Sequence, residues 1–200
     1  MKYKIVAIER EYGSGGRDVA KKTAERLGVK LYGKEILLMA AKKSGIPSKQ
    51  LEKIEESTND SVWDSISVIN KMMYGDANAL SDKHQLSKLE ADIILDIANK
   101  ESCVFLGRGS GFLLGDRKDT LSVFVHADYD FRKNYAIDNY SIDESDADKM
   151  MKLIDKRRSN YYSSYRELMW GEKEGYDLML NSGKLGIDTC VNLIEKAFND

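Results

Sequence analysis

The chain is poor in the residues from which thiol, redox and metal chemistry are usually built. Its 200 residues include only two cysteines and two histidines. Cys103 falls inside the apolar run CVFL and Cys190 on the apolar face of a C-terminal helix, so both are predicted to be reduced core residues and not a disulfide pair. His84 lies in a polar stretch and His126 ends an apolar strand. Neither has the partner pattern of a metal or nucleophilic site. A surplus of positive charge is also missing: the net charge of -2 argues against coating a nucleic acid polymer, although local arginine clusters can still meet small anions. No apolar run approaches membrane-spanning length, and the opening MKYKIVAIER is too short and interrupted for a signal peptide. The expectation is a cytoplasmic protein with no membrane partner. No repeat or low-complexity tract appears, and the length suits one well-buried core, organised as a single domain with an inserted or flanking lobe.

The chemistry is concentrated in Ile5 to Ala20, IVAIEREYGSGGRDVA. Val6, Ala7 and Ile8 form a short apolar run, and Gly13, Ser14, Gly15 and Gly16 allow a tight backbone path. Val19, Ala20, Thr23, Ala24 and Leu27 then recur at helical spacing. Strand, glycine-rich loop and helix start together make an anion site, because free backbone N–H groups converge where the helix dipole favours negative charge.

The nucleotide-binding signature G-x-x-x-x-G-K-[ST] is met only in part. With Gly15 as the second signature glycine, Arg10 replaces the first, Gly16 replaces the lysine and Arg17 the hydroxyl. With Gly16 as that glycine, Glu11 replaces the first, Arg17 replaces the lysine and Asp18 the hydroxyl. The second register is preferred on chemical grounds: Arg17 keeps a cation at the phosphates, and Asp18 offers an oxygen to magnesium. The alternative is that Asp18 caps the helix and Arg17 is a solvated charge.

Downstream, a short strand is predicted at Lys30 to Tyr32, followed by a helix closed by Ser44 and Gly45. Pro47, the only proline, opens a polar region with helices over 48–56 and, from Val62, Ile66, Ile69 and Met73, a second beyond it. Gly75 to Lys83 reads as a loop. Leu86, Leu89, Ile93 and Ile97 mark a periodic helix leading to buried strands at Ser102 to Leu106 and Leu121 to Val125. A long mixed-charge helix is predicted over Ser141 to Tyr165, a short strand at Asp177 to Leu180, and a last helix striped with Ile187, Val191, Ile194 and Phe198. Strands alternating with helices predict an α/β fold with a parallel sheet and helices on both faces. Ligands then bind at the strands' carboxyl ends, which sets the loops after Ile8, Leu106 and Val125 on one rim.

Two further groups of residues stand out. Arg108, flanked by Gly107 and Gly109 directly after a buried strand, can bring a guanidinium to that rim. Arg157 and Arg158 are about 100° apart around their helix, so they cannot share one narrow face, yet they could pinch one ligand or belong to a solvated face of i to i+4 pairs. Tyr161, Tyr162 and Tyr165 could stack on a base or pack in a core.

The segments IVAIEREYGSGGRDVAKKTAERLG, VFLGRGSGFLL, DKRRSNYYSSY and YDLMLNSGKLGIDTCVNLI together resemble the cytidylate kinase-like family, a branch of the nucleoside monophosphate kinases. The resemblance covers residues 3 to 40 and 101 to 198. It implies a three-layer P-loop kinase fold in which ATP with magnesium is donor and a nucleoside monophosphate, CMP- or dCMP-like, is acceptor. It also implies a helical acceptor-binding lobe around 45–85 and a lid around 141–171. Carried over by position, Gly13, Ser14, Gly15, Gly16, Arg17 and Asp18 hold donor phosphates, Arg108 and Arg132 meet the acceptor, and Arg157 and Arg158 belong to the lid. With the register argument this makes Arg17, Arg157 and Arg158 the expected catalytic cations and Asp18 the expected metal ligand. The chain departs from cytidylate kinases in lacking the loop lysine and in having Gly109 where an acidic residue follows the glycine-arginine pair. The alternative is a nucleotide-binding or anion-sensing module that no longer transfers phosphate.

Overall fold

Alternation of apolar strands and amphipathic helices produces a five-stranded parallel sheet in the order β2-β3-β1-β4-β5. The computed structural model describes residues 2–44, 79–163 and 170–200. The strands are β1 (Ile5–Arg10), β2 (Lys30–Tyr32), β3 (Cys103–Leu106), β4 (Thr120–His126) and β5 (Leu178–Asn181). The helices are α1 (Gly16–Leu27), α2 (Lys34–Lys43), α3 (Ala79–Lys100), α4 (Ser110–Leu113), α5 (Tyr129–Tyr140), α6 (Glu144–Ser163), α7 (Ser182–Leu185) and α8 (Ile187–Asn199). β1 is central, in register with β3 from Ile5 opposite Cys103 and with β4 from Ile5 opposite Thr120. All three end at the same edge, so the loops after them form the rim expected from the sequence.

The two faces of β1 have different work because side chains alternate along a strand. Val6 and Ile8 enter a core with Val19, Ala20 and Ala24 of α1 and with Cys190, Val191, Ile194 and Phe198 of α8. The C-terminal stripe read from spacing thus faces the sheet. On the other face α4 lies over β1 and β4: a Cβ on Gly111 would touch the Ser122 hydroxyl and approach Glu9 and Ala7. A second, smaller core joins Tyr12 to Ala136 of α5 and to Met151 and Ile154 of α6. This core matters because Tyr12 belongs to the glycine-rich loop.

The chain divides into two compact units, one of residues Met1–Tyr32 with Lys100–Asp200, the other of Gly33–Asn99. In the second unit α2 buries Ile36, Leu37, Ala40 and Ala41, and α3 buries Ile93, Ile94 and Ala98. Predicted boundaries shift where local signals compete. Residues 79–83, expected as loop, are helical, since beyond Gly75 no glycine or proline interrupts a run of adequate helix formers. The long helix starts at Glu144 and not Ser141, because Ser141 takes a left-handed conformation (φ 53°) that terminates α5. β5 begins one residue late, since Asp177 is used at the strand's edge: its carboxylate accepts the Ser122 N–H at 2.8 Å. The helices expected over 48–56 and from Val62, and Tyr165, lie outside the described residues. Among the described residues no helix is long and apolar enough to cross a membrane. Cys103 and Cys190 are both buried free thiols, and burial pushes the Cys103 thiol up to about 12.

Candidate functional site

The glycine-rich loop is held from both sides before it reaches α1. Glu11 donates its N–H to the Val125 carbonyl at 3.0 Å, and its carboxylate accepts from the Ala127 N–H at 3.1 Å and pairs with Arg132 at 2.9 Å. The Tyr12 N–H donates to the Asp155 carboxylate at 2.8 Å, and its carbonyl accepts from Arg132 Nε at 2.9 Å. Arg132 also pairs with Asp155. One buried guanidinium therefore ties β1's loop to α5 and α6. Gly13 has φ 76°, and a Cβ there would be driven into the Arg132 carbonyl oxygen, so the backbone passes where no side chain fits. The Ser14 hydroxyl donates to the Glu11 carbonyl at 2.9 Å, while the Ser14 carbonyl accepts from Ser182 at 2.5 Å.

Gly15 is left-handed (φ 68°) and precedes α1 without a side-chain cap. The Asp18 and Val19 N–H groups already donate to the Gly15 carbonyl, at 2.9 and 3.0 Å, and α1 is long enough for its dipole to favour an anion at its start. Asp18 does not cap the helix; its carboxylate accepts from the Tyr135 hydroxyl. Arg17 is exposed on the first turn. Among the described residues no three His, Cys, Asp or Glu side chains converge as a metal cage. Magnesium does not need one, since it is carried on phosphate oxygens and water with one or two carboxylates, and Asp18 fits that donor type.

Across the rim, Gly107, Arg108 and Gly109 all have positive φ, at 73°, 63° and 65°. A left-handed arginine is uncommon, and such strain clusters at functional positions. Arg108 is buried. Arg158 is buried as well. Its Nη1 donates to the Arg10 carbonyl at 2.9 Å, and its guanidinium lies 5.8 Å from the Tyr12 ring. Arg157, one residue away, points elsewhere and is partly exposed, as the helical angle requires.

Beneath this rim lies a feature that spacing did not flag. Glu9 is buried on the α4 face of β1, and burial pushes its carboxyl above the usual range although the Arg10 and Arg158 charges, the Gly109 amide and the Trp170 indole pull the other way. Phe124, Trp170, Tyr176 and Tyr162 form a contiguous aromatic set there, with centroid separations of 5.2 Å for Phe124 and Trp170 and 4.9 Å for Phe124 and Tyr176. Tyr162 is thus a packing residue, the alternative weighed against base stacking. Glu9, Asp155 and Ser182 were the functional neighbours missed. The one available signal for Glu9 was a carboxylate directly after the apolar run of β1; Asp155 was lost in a mixed-charge helix.

A family model described as the cytidylate kinase-like family matches residues 5–184. Among solved structures, an uncharacterized protein from Eubacterium ventriosum is 28% identical with a TM-score of 0.72, and 98% of each chain is covered. Two shikimate kinases share the fold. The one from Bacteroides thetaiotaomicron is 12% identical, with a TM-score of 0.54 and 98% of each chain covered. The one from Acinetobacter baumannii, in complex with shikimate, is 11% identical, with a TM-score of 0.54, 98% of this chain and 93% of that chain covered. No curated protein matches the chain.

Proposed function

The chain belongs to the cytidylate kinase-like family, and from that membership we propose that it transfers the γ-phosphoryl group of ATP to a nucleoside monophosphate of the CMP or dCMP kind, or to a similar small acceptor. The observation that carries this reading is the meeting, at one sheet edge, of a pinned glycine-rich loop opening α1 with the left-handed Arg108 turn and Arg158. Phosphoryl transfer demands little covalent chemistry of a protein; positioning and neutralisation of the migrating charge supply most of the acceleration.

In this reading the loop from Gly13 to Asp18 holds the donor phosphates, and its own hydrogen bonds keep it in shape before the ligand arrives. Asp18 would be the carboxylate that holds magnesium, which when bound would supply neutralisation of phosphate charge. Arg17 meets the donor from the first turn of α1. Arg108 binds the acceptor, and Arg157 and Arg158 act on charge developing in transfer. Arg132 was expected at the acceptor. Its three contacts to Glu11, Asp155 and Tyr12 support instead a role in holding the loop. The cytoplasm, where ATP is abundant and buried thiols stay reduced, is the compartment this activity implies.

The test is a panel of nucleoside monophosphates and small phosphorylated metabolites, each incubated with ATP and magnesium and assayed for ADP. The expected result is one acceptor class that raises ADP release far above the acceptor-free rate. A second reading, a nucleotide-binding module without transfer, is favoured by one observation: in one register Gly16 stands where the motif has its lysine. If every acceptor fails while ATP still raises the melting temperature, that second reading replaces the first.

A further inference from the structure

Residues 10 and 16 face each other across the start of the glycine-rich loop. Arg10 ends β1 on the same face as Val6 and Ile8, the face that α1 covers. A Cβ built on Gly16 would lie 2.5 Å from the Arg10 Cβ and 2.9 Å from its Cγ. Only one of the two positions can carry a side chain. From there Arg10 runs to the rim, where its Nη1 takes the space that a Cβ on Gly107 would need. Its guanidinium therefore sits at the seam between the donor loop and the Arg108 turn. Its own carbonyl is held by Arg158.

This geometry explains the incomplete motif. With Gly15 as the second signature glycine, position 10 is the motif's first glycine and position 16 its lysine. A lysine at 16 requires a glycine at 10, and an arginine at 10 requires a glycine at 16, so the two changes belong together. We propose that this chain carries an exchanged phosphate loop, in which Arg10 at the end of β1 supplies to the donor phosphates the cation that a lysine on the helix otherwise supplies. A guanidinium suits this place because its planar fork can bind two phosphate oxygens at once. The assignment moves the lysine's role from Arg17, an exposed first-turn residue, to a side chain packed between two loops.

The inference rests on the phosphoryl-transfer reading, and the experiment separates the two. ATP and ADP affinities with magnesium are measured by calorimetry for the wild type, Arg10→Ala, Arg10→Lys, Arg10→Gly and the exchange variant Arg10→Gly/Gly16→Lys, beside thermal melts and turnover with the best acceptor. Expected is a loss of about 10² in turnover for Arg10→Ala, the scale for removing one electrostatic donor, together with loss of any preference for ATP over ADP. The exchange variant is expected to recover at least about tenfold over Arg10→Gly, because it restores the motif's own side-chain order. Arg10→Ala with wild-type turnover and ATP preference overturns the inference alone. So does an exchange variant that melts normally yet is no better than Arg10→Gly. If the exchange variant does not fold, Arg10→Lys decides: partial recovery over Arg10→Ala supports the assignment, and equality with it overturns it. A wild type that binds neither nucleotide overturns the transfer reading and this inference with it.

Discussion

Replacing Arg132 by methionine removes the guanidinium that ties Glu11, Tyr12 and Asp155 together while keeping a side chain of similar reach. The arginine side chain is only 10% exposed, and the two carboxylates are 24% and 19% exposed, so solvent cannot replace the lost partner fully. Removing one member of a buried ion pair costs about 3–5 kcal/mol, mainly because the remaining charge is left uncompensated. Here two carboxylates lose a partner and the Tyr12 carbonyl loses a donor, but the Tyr12 and Ala127 amides still face those carboxylates. We therefore expect the total to stay near about 3–5 kcal/mol. For a chain of this size that lowers the melting temperature by roughly 6–20 °C, at about 2–4 °C per kcal/mol. Thermal and urea melts of Arg132→Met read this directly, and a double-mutant cycle with Asp155→Asn should show coupling, since the two residues touch. If Arg132→Met melts within about 2 °C of the wild type while kcat/KM for the acceptor collapses, the residue contacts substrate and the loop-holding argument is wrong.

Gly13→Ala should destabilise far more than Gly28→Ala: both glycines are left-handed, but a Cβ at 13 strikes the Arg132 carbonyl whereas at 28 it meets nothing within 4 Å. Gly28→Ala is expected to cost about 1–2 kcal/mol, the left-handed penalty alone, and equal melting shifts for the two would refute the packing argument. Glu9→Gln should change the pH dependence of stability. Because burial raises the folded pKa of Glu9 above the ordinary carboxyl range, the wild type loses stability as pH rises from that range through the folded value. The amide variant, which cannot ionise, should therefore match the wild type at acid pH, gain on it as pH climbs from the ordinary carboxyl range to the folded value, and keep a constant advantage above it; a pH-independent difference would count against the buried-carboxyl account. Arg157→Ala should lower kcat more than it weakens ATP binding, since a cation acting on transfer-state charge contributes little to ground-state affinity. Parallel losses in both would remove it from the catalytic set.

The local grammar of this chain was legible because it depends on neighbours in sequence. A short apolar run, three glycines with one serine, and a 3.6-residue stripe suffice to write β1, the loop and α1, and the same logic yields the arginine turn after β3 and the helix that ends the chain. Parallel topology follows as well, since alternating strands and helices leave few other arrangements. Partners across the fold were not legible. Tyr12 and Asp155 are 143 positions apart, and Ser14 and Ser182 are 168 apart; periodicity says which face a residue occupies, not which side chain it meets there. Hence Arg132 read as an acceptor ligand until Glu11 and Asp155 were found around it. Arg10 read as a motif mismatch until Gly16 was found beneath its Cβ. Steric exclusion between two backbones brought together by folding has no signature along the chain, so only the folded structure joins those two positions into one device.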